Sequence, residues 1–148
     1  MFNFVESLKI GLSHAEEAQK NSEEINSVFE MLRSDIEKHT NSNVSIKFSS
    51  SIDDGSDDMI THAIALLNTR KRRKYTALMA LNIVGRFTFE KELCEWENGD
   101  KGYPVTISYL NRTTECADKE SLVQRLQDLL SQPDVGKKIK FLLDKART

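Results

Sequence analysis

Apolar positions at the start of the chain recur with a seven-residue period. Phe4, Leu8, Gly11, Ala15, Ala18, Ser22, Ile25, Phe29, Leu32, Ile36 and His39 follow one another in alternating steps of four and three. That spacing holds one stripe on one face of a continuous helix. It predicts a helix over 3–39, about 55 Å long at 1.5 Å per residue. Ser13 with Glu16, and Asn21 with Glu24, have the form of capping boxes that would begin new helices. The heptad phase passes through both without a slip, and separate helices have no reason to share a register, so one long helix is expected. A rod of that length exceeds what the rest of a 148-residue chain can cover. Part of it must find a partner or stand free.

Beyond the helix the period changes. Thr40 to Asn43 reads as a turn, and Val44, Ile46 and Phe48 then alternate with polar residues, the pattern of a half-buried strand. Residues 49–58 are a polar loop. Ile60, Ala63, Ile64 and Leu67 fit one face of a helix capped by Ser56 or Asp57, while 63–67 fit a buried strand equally well. Residues 75–84 form an apolar stretch. Phe87 and Phe89, then Val105, Ile107 and Tyr109, alternate again around a turn at Asn98–Gly102. Residues 85–97 and 103–111 are therefore expected to pair as an antiparallel hairpin. Phe87, Phe89 and Leu93 have one parity and Cys94 and Trp96 the other; a bulge reconciles them, as does a short helix. Leu122, Leu126, Leu129 and Leu130 predict a helix begun near Asp118, and Pro133 opens another with Val135, Ile139, Leu142 and Leu143 inward. The fold class expected is α+β: a long N-terminal helix, a small antiparallel sheet with a hairpin, and two C-terminal helices, in one domain over 1–148.

Charge alters this picture locally. Residues 1–58 hold twelve acids and five bases, 59–91 one acid and seven bases, and 92–148 ten acids and nine bases. A basic island thus separates two acidic stretches. Its centre is Arg70, Lys71, Arg72, Arg73 and Lys74, followed by Tyr75. Consecutive cations release counterions from a phosphate backbone and an adjoining aromatic stacks on bases, so the run is a candidate nucleic-acid contact. Its plainer reading is a solvated turn. Asp53, Asp54, Asp57 and Asp58 in the polar loop, with Glu90 and Glu92 in the hairpin, are the faint outline of a Mg²⁺-dependent nuclease. Solvated surface charge explains them more simply.

Little else carries chemistry. Cys94 and Cys116 lack zinc-site spacing, and His14, His39 and His62 stand apart. No phosphate-cradling glycine loop and no nucleophile motif is present. The sequence thus names no cofactor, metal or catalytic residue. The first residues do not read as a signal peptide, and no apolar run is long enough to span a bilayer; a cytoplasmic protein without a membrane partner is expected.

The heptad stripe is the strongest functional signal. Its flanks, including Val5, Ser7, Leu12, Asn21 and Val28, do not suit a parallel coiled coil, whose seam is edged by charge. Antiparallel pairing suits it better: Gly11 then faces Phe29, Ala15 faces Ile25 and Ala18 faces Ser22, large against small. Phe4, Leu8, Gly11, Ala15, Ala18, Ser22, Ile25, Phe29, Leu32 and Ile36 are the candidate self-association residues, and a homodimer is expected. The competing reading lays the stripe on the chain's own sheet. The functional expectation is a small non-enzymatic interaction protein, regulatory, inhibitory or immunity-type, with a protein partner. A nucleic-acid-binding accessory protein and, behind it, a metal-dependent nuclease are the alternatives.

Overall fold

The computed structural model describes residues 3–53 and 73–145. Helix α1 runs unbroken over Phe4–His39. Asn3 caps it, its side chain accepting from the Glu6 amide at 3.2 Å. Neither internal capping signal starts a helix. At the other end Thr40, only 5% exposed, donates its hydroxyl to the Ile36 carbonyl at 2.7 Å and accepts the Val44 amide at 3.1 Å. The chain then reverses through Asn41 and Ser42, both in the left-handed region.

Five antiparallel strands follow in chain order: β1 (Ser45–Asp53), β2 (Arg73–Val84), β3 (Phe87–Gly99), β4 (Gly102–Tyr109) and β5 (Arg112–Cys116). The apolar stretch at 75–84 is the second strand. The parity break in β3 is a bulge, since its register against β2 shifts where Leu78 faces Cys94 and Met79 faces Glu92. The expected 85–97/103–111 hairpin is β3 with β4, and the last strand is an addition that the sequence pattern does not predict. The chain turns at Leu110 and Asn111, both at positive φ, and pairs once more. Leu110 is a poor marker for such a turn, and in β5 only Cys116 is apolar.

Cross-strand partners share a face. Ile46 with Ala80, Leu78 with Cys94, Trp96 with Ile107, and Val105 with Cys116 place the apolar residues on one side. The three helices of the described residues cover that side. Helix α2 (Lys119–Leu130) begins at Asp118, whose carboxylate accepts the Ser121 amide while Ser121 Oγ accepts the Asp118 amide. Helix α3 (Pro133–Lys145) starts on its proline and lies against β2 and β3. There buried Asn82 donates to the Leu142 carbonyl at 2.7 Å, and the Lys91 ammonium sits 4.4 Å over the Phe141 ring. Val28, Ile25, Leu122, Leu126, Leu129, Val135 and Leu142 complete a core centred on Leu78, Leu93 and Ile107. The other face of the sheet is mostly polar. Ser49, Ala77, Glu95, Ser108 and Thr113 form one row across all five strands.

That row marks a peculiarity of β3. Its first half pairs with β2 from Phe87 to Glu95, its second half with β4 from Glu95 to Gly99. Only Glu95 pairs on both sides. The sheet therefore forks twice about this residue.

Candidate protein-interaction surface

The single rod of α1 has two unlike halves. From Asn21 onward it is fastened to the tip of the β3–β4 hairpin. Asn21 Nδ2 donates to the Lys101 carbonyl at 2.9 Å, and the Tyr103 hydroxyl donates to Glu24 Oε1 at 2.6 Å. Gly102, at φ +91, brings its backbone so close that a Cβ there would stand 3.0 Å from Asn21 Cβ and 3.2 Å from Ile25 Cδ1. Burial, and then the Glu24 acceptor, raise the Tyr103 phenol well above its ordinary pKa. Both residues of the second apparent internal cap thus have other work: Asn21 and Glu24 reach across the fold.

Below this tie the stripe turns inward. Ile25 and Val28 are each 3% exposed. Phe29 stacks on Phe48 at 4.6 Å between centroids, and Phe48 meets Trp96 edge-on at 5.0 Å. Leu32 and Ile36 are half-buried against the core. They also line an apolar groove of about 410 Å³ between α1 and α2, with Val123, Leu126 and Ile139.

Above the tie the helix is exposed, although Lys101 of the hairpin tip still reaches Glu17 at 3.6 Å. Every residue from Asn3 to Glu17 is exposed, and Ala18 is the first half-covered one. Phe4 is 77% exposed, and Val5, Leu8, Ile10 and Leu12 each 57–63%. These are large apolar side chains, and each full burial is worth roughly 1.5–3 kcal/mol. Isolated apolar residues on a surface are ordinary; a run like this one makes the arm a candidate contact surface. Val5, Leu12 and Ile10 lie beside or behind the heptad stripe, so the stripe alone does not single them out. The antiparallel seam drawn over 3–39 meets an obstacle here. It needs Ile25 and Phe29 against a partner's Ala15 and Gly11, but both are engaged with their own sheet.

The other candidate residues are dispersed. Arg70, Lys71 and Arg72 lie outside the described residues, as do Asp54, Asp57 and Asp58 and the stretch 58–69. Arg73 and Lys74 open β2, opposite Asp53 and Ile52, so this end of the basic run is strand rather than turn. The Tyr75 hydroxyl donates to Glu92 Oε1 at 2.8 Å; burial first, then that carboxylate, push its pKa up to about 12. Glu90 is ion-paired with Lys47. Among the described residues no three His, Cys, Asp or Glu side chains gather as a metal cage would require. Cys94 and Cys116 are buried free thiols, and burial pushes Cys94 up to about 12.

The forks in the sheet form two further concavities. One, about 680 Å³, opens between Lys74–Thr76 and Glu95–Asn98. There the Trp96 indole donates to Asn98 Oδ1 at 2.8 Å. The second, about 560 Å³, lies between Glu92–Glu95 and Ser108–Asn111, under Asp134 and Lys138 of α3. Lys138 donates to the Glu92 carbonyl at 2.7 Å and pairs with Asp134 at 3.1 Å. Neither fork gathers a nucleophile, a base and an oxyanion donor. No helix among the described residues is long and apolar enough to cross a membrane. Comparison with protein-family models, curated proteins and solved structures finds no match.

Proposed function

We propose that this protein is an interaction module, without catalysis of its own, that engages a protein partner through the projecting half of α1, Phe4–Ala18. One observation carries the reading: five large apolar side chains stand exposed on a regular helix past the point where the hairpin tip lets it go. A helix of this kind offers anchors at the spacing by which helices are recognised. Its other half is held by the fold, which sets where on the molecule the contact surface emerges.

The test compares proteins that co-purify with the untagged chain and with a Leu8→Glu, Leu12→Glu variant. Both positions are exposed, so the variant keeps the fold, as circular dichroism and thermal unfolding will verify. Binding that disappears in the variant supports the reading. A partner retained equally by both chains overturns it.

A further inference from the structure

We propose that the partner of the projecting half-helix is a second copy of the same half-helix, paired antiparallel over Phe4–Ala15. This rests on the arm being the contact surface and adds what it contacts.

The register follows from side-chain size and from where the hairpin tip sits. The exposed stripe is Phe4, Leu8, Gly11, Ala15, with Val5 and Leu12 on one flank. Set antiparallel with Leu8 against the partner's Gly11, the same alignment puts Phe4 against the partner's Ala15. Each layer then joins a large residue to a small one, and by symmetry each occurs twice. Val5 meets the partner's Leu12 on the flank, which covers the two large residues beside the stripe. On the other flank Ser7 meets the partner's His14. No like charges face one another across this seam, because Glu6, Lys9, Glu16 and Glu17 lie off the stripe. The antiparallel sense also sets Glu16 of each helix beside the N-terminal end of the other. Unpaired amides make that end positive, so a carboxylate is favoured there.

Longer overlaps are less available. They draw the partner's Phe4 toward Ser22, where the hairpin tip already packs on Asn21 and Ile25. The chosen overlap stays within residues the fold leaves exposed. Its twelve residues span about 18 Å, a contact line too short for the roughly 1,200 Å² that a stable interface buries. The association is therefore a weak, reversible one.

The experiment uses the full chain with single cysteines introduced at the predicted layers. Native Cys94 and Cys116 are 3% and 0% exposed and do not compete. Under mild oxidation, Phe4→Cys mixed with Ala15→Cys is expected to give a disulfide-linked dimer, and neither variant alone is. In parallel, sedimentation equilibrium is expected to show dimer in the wild type, at least tenfold weakening in Leu8→Glu, and no change in Ser13→Glu on the opposite side of the helix. Bridging within Phe4→Cys alone, or no bridge at concentrations where the wild type self-associates, overturns the antiparallel register. A wild type that stays monomeric to about a millimolar overturns self-pairing. Arm-dependent capture of a different protein would then leave the arm as the contact surface, and loss of both would remove that reading as well.

Discussion

The two halves of α1 share one helix, one heptad phase and one capping residue, yet they differ in nearly everything that determines stability. Residues 21–39 bury their stripe against Phe48, Trp96 and the C-terminal helices. Residues 4–18 bury almost nothing. Periodicity specifies that a helix has an apolar face; it says nothing about whose surface covers that face. The difference lies in a few polar contacts at the hairpin tip, and these mark where burial ends and the exposed stretch begins.

Substitutions along the rod test that division directly. The largest effect is expected at Ile25→Ala, where a fully packed side chain leaves a cavity: about 2–5 kcal/mol of unfolding free energy in urea titration. Leu8→Ala, the same kind of truncation on the same stripe, should stay within about 0.5 kcal/mol at low protein concentration. Equal losses at both sites would erase the division. Gly102→Ala comes next. It places a Cβ against Asn21 and Ile25 and forces a side chain to a positive φ, at a cost of about 1–3 kcal/mol. Gly85 is also at positive φ, but a Cβ there meets nothing. Gly85→Ala therefore measures the strain alone, and the difference between the two measures the clamp.

Tyr103→Phe removes the hydroxyl that holds Glu24 and should cost about 1 kcal/mol. Its sharper signature is amide exchange. Residues 21–28 should lose protection in the variant, while residues 5–17, which fray without unfolding the protein, exchange rapidly in both. The smallest effect is expected in alkali. Tyr75 and Tyr103 hold their protons more tightly folded than unfolded. Their contribution is thus present below the ordinary phenol value near 10 and is lost as pH rises through the folded one. For Tyr75 that window closes near 12. Phenolate absorbance followed against unfolding should show both phenols titrating late, with Tyr75→Phe flattening the loss of stability between about pH 10 and 12.

Much of this architecture was legible in the sequence, for identifiable reasons. The unbroken phase correctly outweighed the capping signals at Ser13 and Asn21. Asp118 and Pro133 marked the C-terminal helices because caps are local chemistry. The β3 bulge could be inferred from conflicting parities. Strand β5 escaped because its partner supplies the apolar contact and its own residues are polar. The hairpin clamp escaped for a deeper reason. Asn21 and Lys101 are 80 positions apart and Glu24 and Tyr103 79, and no periodicity links them. The candidate surface was half legible: the stripe named its seam, while only the fold shows which part of that seam is exposed.

Those same separations bear on how the chain assembles. Each strand pairs with its neighbour in sequence, so most of the sheet forms by closing short loops. Fastening α1 to the hairpin closes a loop of about 80 residues. Relative to a turn of about five, the added entropic cost is near 2.5 kcal/mol from the logarithmic dependence on loop length. The helix also leaves the ribosome before its receptor strand, which emerges about sixty residues later. During synthesis, then, Ile25 and Val28 are as uncovered as Phe4 and Leu8, and the nascent chain presents one uninterrupted apolar stripe. The hairpin's arrival divides it, withdrawing the inner half into the core and leaving the outer half exposed.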